Sequence, residues 1–166
     1  MVRTAIAALV LTAVTASAQA PIGGPTRFRT GPRFGVTWLS GKITEKIWTD
    51  YQIRVSPVIS QFGWQFERQF AAVDGGPVAL SEFALMVGGL DQGTAIPSVS
   101  WLVGIRTTGD FEVAVGPNAT PAGVALAFSV GQTFHSGALS IPVNVAVVPS
   151  RYGVRSSILT GFNVYR

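Results

Sequence analysis

Five charged side chains recur within apolar, alternating stretches of the sequence, and their types could support either proton chemistry or ion pairing. They are Glu67, Glu82, Arg106, Glu112 and Arg155. A glutamate held away from water can act as a general acid or base, and a series of such groups can form an ion path. Burying single charges is costly unless they pair. Three carboxylates beside two guanidinium groups therefore favour a structural charge network over a catalytic site.

The single histidine is the other candidate for catalysis. His135 precedes Ser136 in the segment HSGA, which has the composition of a turn. Nucleophilic catalysis needs a nucleophile beside a base, but a histidine next to a serine in a turn is more often surface decoration. The sequence has no cysteine and no cluster with metal-ligand spacing. We predict no catalytic residue, no metal and no cofactor, and keep as an alternative a lipid-modifying enzyme that depends on His135 or an interior glutamate.

The first twenty residues, MVRTAIAALVLTAVTASAQA, have the anatomy of a secretory signal peptide. One early arginine is followed by an uncharged apolar run and then by small residues at cleavage spacing. The run is too short for a comfortable transmembrane helix, which needs about 20 residues. We predict a signal peptide over 1–18, with cleavage after Ala20 as the alternative, and therefore an exported protein.

Residues 19–32 are rich in proline, glycine and threonine, which predicts a flexible leader. Arg27, Arg29 and Arg33 form a basic cluster just before the first strand. We interpret this cluster as a solvated leader, with contact to acidic lipid headgroups as the alternative. Nothing in the charge pattern indicates a nucleic-acid partner.

Eight segments after the leader alternate between large and small residues with period two, which predicts β-strands. They are 33–39, 56–70, 78–90, 97–107, 110–117, 121–134, 139–148 and 153–165. Between the first two, the segment 42–53 (KITEKIWTDYQI) places Ile43, Ile47, Trp48 and Tyr51 on one helical stripe. We predict an all-β fold, a closed antiparallel up-and-down barrel of eight strands over 33–166, with one short amphipathic helix between strands 1 and 2.

The content of the small face indicates which side of the sheet points inward. That face is mostly glycine, alanine and serine, and only 12% of all residues are charged, against about 25% in soluble domains. Such a face suits the crowded interior of an eight-stranded barrel, and the opposite face suits lipid. We predict that the large face meets lipid through Phe62, Trp64, Phe83, Trp101, Val103, Phe128 and Phe162.

The export signal, the eight alternating strands, the small polar interior and the apolar outer face together resemble the small outer-membrane barrels of Gram-negative bacteria, the OmpA and OmpX class. The resemblance covers residues 33–166 and rests on pattern, without a diagnostic motif. It implies a monomer in the outer membrane, in contact with its lipids and with the barrel assembly machinery. Members often end in an aromatic residue that this machinery reads, whereas here Phe162 and Tyr165 are near the end and Arg166 is last.

A filled interior argues against conduction of large solutes, so the sequence favours a structural, adhesive or envelope-stabilising role over a porin. By analogy, a periplasmic N-terminus would put the helical connection on the cell surface. The alternative is an exported soluble barrel, periplasmic or secreted and similar to lipocalins, that binds an apolar ligand. In that case Phe62, Trp64, Trp101 and Phe128 would line the interior.

Overall fold

The segments in which large and small side chains alternate form eight long strands, and these strands close into an antiparallel barrel. The computed structural model describes residues 27–137 and 139–165, so the predicted signal peptide and most of the leader lie outside the described residues. The long strands are β1 Phe28–Leu39, β2 Val58–Ala72, β3 Val78–Gly88, β4 Ile96–Arg106, β5 Phe111–Thr120, β6 Gly123–Ser136, β7 Leu139–Ser150 and β8 Gly153–Gly161. The helix α1 spans Gly41–Tyr51, a single 3₁₀ turn spans Leu90–Gln92, and a short strand β9 spans Val164–Tyr165.

Every neighbouring pair of strands is antiparallel, and β1 closes the barrel by pairing with both β2 and β8. The short β9 pairs with the start of β1 after a two-residue break that follows β8. At the closure β1 and β8 approach closely at Gly35, where an added Cβ would lie 1.9 Å from the Ile158 carbonyl oxygen. The predicted fold, a closed eight-stranded antiparallel barrel with one helix between strands 1 and 2, is confirmed.

Three strand boundaries differ by three residues or more from those expected, and the others differ by at most two. β1 begins at Phe28, so residues 28–32 belong to the barrel and not to a leader. β5 continues to Thr120, because Pro117 and Asn118 lie within the strand and not in a turn. β8 ends at Gly161, earlier than expected, and the pairing with β1 resumes only at β9. The long strands are thus nine to fifteen residues long, enough to span a membrane at the usual tilt of barrel strands.

The two ends of the barrel differ, and we name them by what they carry. The turn end holds the short connections 73–77, 107–110 and 137–138 together with the start of β1. The helix end holds the connection 40–57 with α1, the segment 89–95, and the two-residue turns 121–122 and 151–152. No helix within the described residues has the length and hydropathy needed to cross a membrane.

Helix α1 lies across the mouth at the helix end. Ile43 and Ile47 are buried against Leu39 and Ile59 of the barrel, forming an apolar cluster. The Ser40 amide donates to the Val154 carbonyl oxygen of β8 at 3.1 Å, and the Val154 amide donates to the Ser40 hydroxyl oxygen at 3.2 Å. The hydroxyl of Tyr51 donates to the Pro121 carbonyl oxygen at 2.8 Å. These contacts hold both ends of the helix to the rim. A second apolar layer lies deeper in the barrel and consists of Leu102, Ala114, Ala127 and Val148.

The small face points into the barrel and the large face points outward. In β6, Ala127, Ser129, Gly131 and Thr133 are buried, whereas the larger residues between them from Leu126 to Phe134 are exposed or partly exposed. The same holds around the whole sheet, where most phenylalanine and tryptophan side chains of the strands are exposed. An inward small face leaves a narrow interior that side chains can fill.

Candidate functional site

A network of buried charged residues fills the interior near the turn end. Glu67, Glu82, Arg106 and Glu112 come from the four adjacent strands β2–β5, and each is at most 4% exposed. All four side chains point into the barrel because each occupies an inward-facing position in the two-residue alternation of its strand. They also lie at a similar height along the barrel axis because of the strand pairing. Arg106 ends β4 opposite Glu112 near the start of β5, and Glu67 lies opposite Glu82 on the pair β2–β3.

Arg106 is the centre of this network. Its Nη1 donates to Glu67 Oε1 at 2.5 Å and its Nη2 donates to Glu67 Oε2 at 2.6 Å, a bidentate pair. The same Nη2 also donates to Glu112 Oε2. One guanidinium of β4 therefore joins carboxylates of β2 and β5, which lie on opposite sides of β4 in the sheet, and this fixes the relative register of the three strands.

Two arginines of β1 complete the network. Arg29 lies with its Nε 3.9 Å from Glu67 Oε1. Arg33 donates from Nε to Gln65 Oε1 at 2.9 Å, and the amide nitrogen of Gln65 donates to Glu82, so the glutamine connects the two charges. The set contains three carboxylates and three guanidinium groups, and its formal charge is zero.

The prediction that Arg155 belongs to this network is wrong. Arg155 is the third residue of β8, which starts at the helix end; it lines an internal cavity of about 80 Å³ together with Glu82 but forms no ion pair with a carboxylate of the described residues. Its hydrogen bonds go to Asn118 Oδ1 at 2.8 Å and Thr120 Oγ1 at 3.1 Å, both neutral. Arg29 and Arg33, predicted as part of a solvated basic leader, take the cationic role instead, because β1 already begins at Phe28.

The geometry of the network leaves no room for a substrate. The cavity among these residues measures about 10 Å³, which is the space of about one water molecule. Carboxylate oxygens of Glu67, Glu82 and Glu112 lie within 4.8 Å of one another, close enough for a metal ion. The Arg106 guanidinium already supplies positive charge to two of these three groups. The arrangement can therefore plug the barrel and fix strand register.

His135 does not lie in a turn beside Ser136 as predicted, because β6 continues to Ser136 and β7 begins at Leu139. Its Nε2 is 2.9 Å from Asp110 Oδ2 and its Nδ1 is 2.9 Å from Ser140 Oγ. A serine, a histidine and an aspartate thus form one hydrogen-bonded chain, which the sequence did not reveal. Ser140 is only 1% exposed, so its hydroxyl cannot meet a substrate in this arrangement, and the chain joins the turn 107–110 to β6 and β7.

The outer face consists of large apolar side chains from every strand. The seven residues predicted to face lipid are all exposed, with exposed fractions from 41% to 57%: Phe62, Trp64, Phe83, Trp101, Val103, Phe128 and Phe162. The indole nitrogens of Trp64 and Trp101 donate to Thr30 Oγ1 at 2.5 Å and Ser81 Oγ at 2.8 Å on neighbouring strands. Both exposed indoles thus satisfy their N–H groups within the protein, which matters wherever water is absent.

No protein-family model matches this chain, and no curated protein matches it in sequence. In a search of solved structures, the chain is similar to the outer membrane protein Ail of Yersinia pestis, whose backbone structure was determined in a phospholipid bilayer nanodisc. The TM-score is 0.51 at 11% sequence identity, over 83% of this chain and 99% of that chain. At this identity the likeness concerns the fold alone, and it confirms that the chain has the fold of a small outer-membrane β-barrel.

Proposed function

We propose that the protein is a monomeric, integral outer-membrane β-barrel with a closed interior and a structural, envelope-stabilising role. The observation that carries this proposal is the direction of the two faces. Large apolar side chains cover the outside of a sheet that has no open edge, while the charges of β1–β5 are buried inside, apart from the exposed Arg68 near the end of β2. Lipid requires both features, since it cannot hydrogen-bond a free strand edge or solvate a charge.

The soluble, lipocalin-like alternative is not favoured. It requires Phe62, Trp64, Trp101 and Phe128 to line the interior, whereas each of these side chains is on the outside and at least 43% exposed. In water, so large an apolar surface would drive association, because monomeric soluble proteins rarely expose contiguous apolar patches above a few hundred Å². Lipid is the partner whose chemistry fits this surface.

Two features support a structural role over conduction or adhesion. The charge network fills the interior at the turn end, which argues against a pore. At the helix end the turns 121–122 and 151–152 have two residues each, so only the connection 40–57 and the segment 89–95 offer surface to a partner. By analogy with small outer-membrane barrels, we propose that the helix end faces the cell exterior and that the barrel assembly machinery inserts the chain.

Membrane fractionation followed by gel electrophoresis of unheated and boiled protein tests this proposal. We expect a carbonate-resistant outer-membrane band whose mobility shifts on boiling, and no conductance steps when the purified barrel is added to a planar bilayer. A periplasmic protein without a mobility shift would overturn the membrane assignment. Stable conductance steps would overturn the closed interior.

Substitution of the outer face provides the matched test at residue level. Val103 lies within β4 and is 46% exposed, whereas Val124 is the second residue of β6, beside a two-residue turn, and is 74% exposed. A cation costs about 2–4 kcal/mol at the bilayer midplane and about 0–1 kcal/mol near the interface. We therefore expect Val103→Arg to destabilise the barrel in vesicles far more than Val124→Arg, measured by urea unfolding. Equal effects would contradict a lipid-facing Val103.

A further inference from the structure

Arg155 is a charged residue at the helix end whose partners in the structure are neutral. Its Nη2 donates to Asn118 Oδ1 and its Nη1 donates to Thr120 Oγ1. The amide nitrogen of Asn118 donates in turn to Ser98 Oγ and Ser100 Oγ, both at 2.8 Å, which fixes the amide so that its oxygen faces the guanidinium. None of the carboxylates in residues 27–137 and 139–165 forms an ion pair with Arg155. A guanidinium has five N–H donors, so these two bonds leave donors for a further group.

The same guanidinium borders an apolar cavity beneath α1. This cavity measures about 120 Å³, and its apolar wall includes Leu39, Ile43, Ile47, Ile59 and Ile96. An apolar protein cavity of about 150 Å³ holds a benzene molecule, so this one holds a short length of hydrocarbon chain. An apolar space beside a guanidinium that has no carboxylate partner among the described residues is costly, which makes the pair of features a candidate binding site.

A second and larger space continues from the first toward the rim. It measures about 440 Å³, and it shares Ile43, Thr120, Ala122 and Arg155 with the cavity beneath the helix. Its rim is formed by the turns 121–122 and 151–152, where the wall of the barrel is lowest because each turn has only two residues. Together the two spaces form a channel whose volume accommodates one hydrocarbon chain, and Arg155 is the charged residue that borders both of them.

We propose that this channel binds one single-chain amphiphile with a carboxylate head, the chemistry of a fatty acid. The carboxylate would pair with the Arg155 guanidinium, whose fork matches two carboxylate oxygens, and the chain would lie among the isoleucines under α1. A two-chain phospholipid exceeds the space available. This site is distinct from the lipocalin-like binding mode, because none of the outward aromatic residues lines it.

The helix is the element that makes this site possible. Ile43 and Ile47 form one wall of the apolar cavity, and Tyr51, which also borders it, holds the helix to the turn 121–122 through the Pro121 carbonyl oxygen. The anchor at Ser40 fixes the other end of α1 to β8. The helix therefore covers the chain of a bound amphiphile while the side toward the turns 121–122 and 151–152 stays open for entry.

Dodecanoate labelled with ¹³C at the carboxyl carbon is the probe for this proposal, added to the purified protein in phospholipid nanodiscs. We expect a carboxyl resonance separate from that of dodecanoate dissolved in empty nanodiscs, and a one-to-one complex in native mass spectrometry. Arg155→Gln should weaken binding about tenfold to hundredfold, since a charge-assisted pair is lost. Arg68→Gln, which alters an exposed arginine of β2 that borders neither space, is the matched control and should bind as the unchanged protein does.

Two further tests, one that changes the head group of the amphiphile and one that fills the apolar cavity with a larger side chain, distinguish a carboxylate site from a site for other amphiphiles. Dodecyl maltoside, with the same chain and a neutral head, should not displace dodecanoate, whereas Ile96→Trp should block binding by filling the apolar cavity. Displacement by the maltoside, or an unchanged affinity in Arg155→Gln, would overturn the carboxylate site. Binding of dodecyl phosphate in place of dodecanoate would overturn the assignment of the head group. These outcomes do not depend on where in the cell the barrel resides, so they are distinguishable from a failure of the membrane assignment.

Discussion

The two ends of the barrel interior are filled by different kinds of side chains. At the turn end, long polar side chains fill the space, and only about 10 Å³ remains among them. At the helix end, branched apolar side chains and a helix close the mouth, and spaces of about 120 Å³ and 440 Å³ remain. The long side chains of glutamate and arginine from β1–β5 meet in the interior and bond there, whereas isoleucine is shorter and has no polar group to bond.

The comparison shows what each kind of filling contributes. A charge network specifies register, because each carboxylate must meet its guanidinium, but its net contribution to stability is small while it is intact. The apolar side chains and helix α1 at the helix end stabilise the fold through burial of apolar surface, which has no required partner geometry and so allows cavities to remain. The turn end is therefore the half in which a single substitution should disrupt folding, and the helix end is the half with room for a ligand.

Arg106→Leu should have the largest effect. It leaves Glu67, Glu82 and Glu112 buried without the guanidinium that pairs two of them, and breaking a buried pair from one side costs about 3–5 kcal/mol. We expect a large loss of the heat-modifiable folded band and a lower urea midpoint in vesicles. Adding Glu67→Gln to this variant should recover part of the loss, since one unpaired carboxylate is then removed.

Arg155→Leu is the matched control at the opposite end. It also replaces an inward arginine, but one whose partners in the described structure are the neutral Asn118 and Thr120. We expect a cost below about 1 kcal/mol, because the lost hydrogen bonds are offset by removal of a charge without a carboxylate partner. Equal losses in the two variants would contradict the distinction between the two halves.

The sequence predicted the barrel because one simple rule, alternation with period two, applies to every strand. Phe128 and Ala127 illustrate this: one residue apart, they are 48% and 3% exposed. The rule failed at the start of β1, where Gly31 and Pro32 resemble a turn although the alternation continues backward through Arg29. Proline is accepted there because Gly31 and Pro32 lie opposite the break between β8 and β9, where β1 has no ladder partner on that side. Continuing the alternation backward through Pro32 would have placed Arg29 and Arg33 inside the barrel.

The site was harder to predict because parity gives the direction of a side chain but not its height along the barrel axis. Strand direction was the missing signal. Even-numbered strands run from the helix end to the turn end, so Arg106 at the end of β4 lies at one end and Arg155 at the start of β8 lies at the other. The chain of Asp110, His135 and Ser140 depends on the exact position of the turn 137–138, which composition does not determine.

Ile47→Ala tests the apolar half and should have an intermediate effect. Ile47 is 7% exposed and belongs to the cluster under α1. Truncation of a buried isoleucine costs about 2–5 kcal/mol, and we expect about 2 kcal/mol because the adjoining cavity already deprives the side chain of neighbours. Urea unfolding in vesicles measures the loss, and increased protease cleavage within 40–57 would show that the helix loosens first.

The neighbouring residue provides the control for that variant. Trp48 is 38% exposed and its ring lies 4.5 Å from the Arg54 guanidinium carbon. Trp48→Ala should remove only this exposed contact and cost less than about 1 kcal/mol. A larger loss in Trp48→Ala than in Ile47→Ala would mean that the helix packs on the barrel through a different face.

The smallest expected effect concerns pH at the rim of the helix end. The Ser60 hydroxyl donates to Asp91 Oδ1 at 2.5 Å and the Ser60 amide donates to the same oxygen at 3.0 Å. These bonds lower the pKa of the Asp91 carboxyl below its ordinary value, and the bond from the Ser60 hydroxyl has the larger effect. Because the folded carboxyl stays ionised to lower pH than the unfolded one, its contribution to stability is complete above the ordinary range near pH 4 and is lost as the pH falls through the lowered pKa.

Ser60→Ala separates the two bonds that act on Asp91. It removes the hydroxyl and keeps the backbone amide, so the pKa of Asp91 should rise part of the way toward its ordinary value. The titration is followed by NMR through the amide shift of residue 60, with Asp91→Asn as the variant in which this titration disappears. An unchanged midpoint in Ser60→Ala would mean that the hydroxyl does not hold the carboxylate. Because Asp91 is exposed, solvent screens this interaction, and its loss should leave α1 and the charge network at the turn end in place.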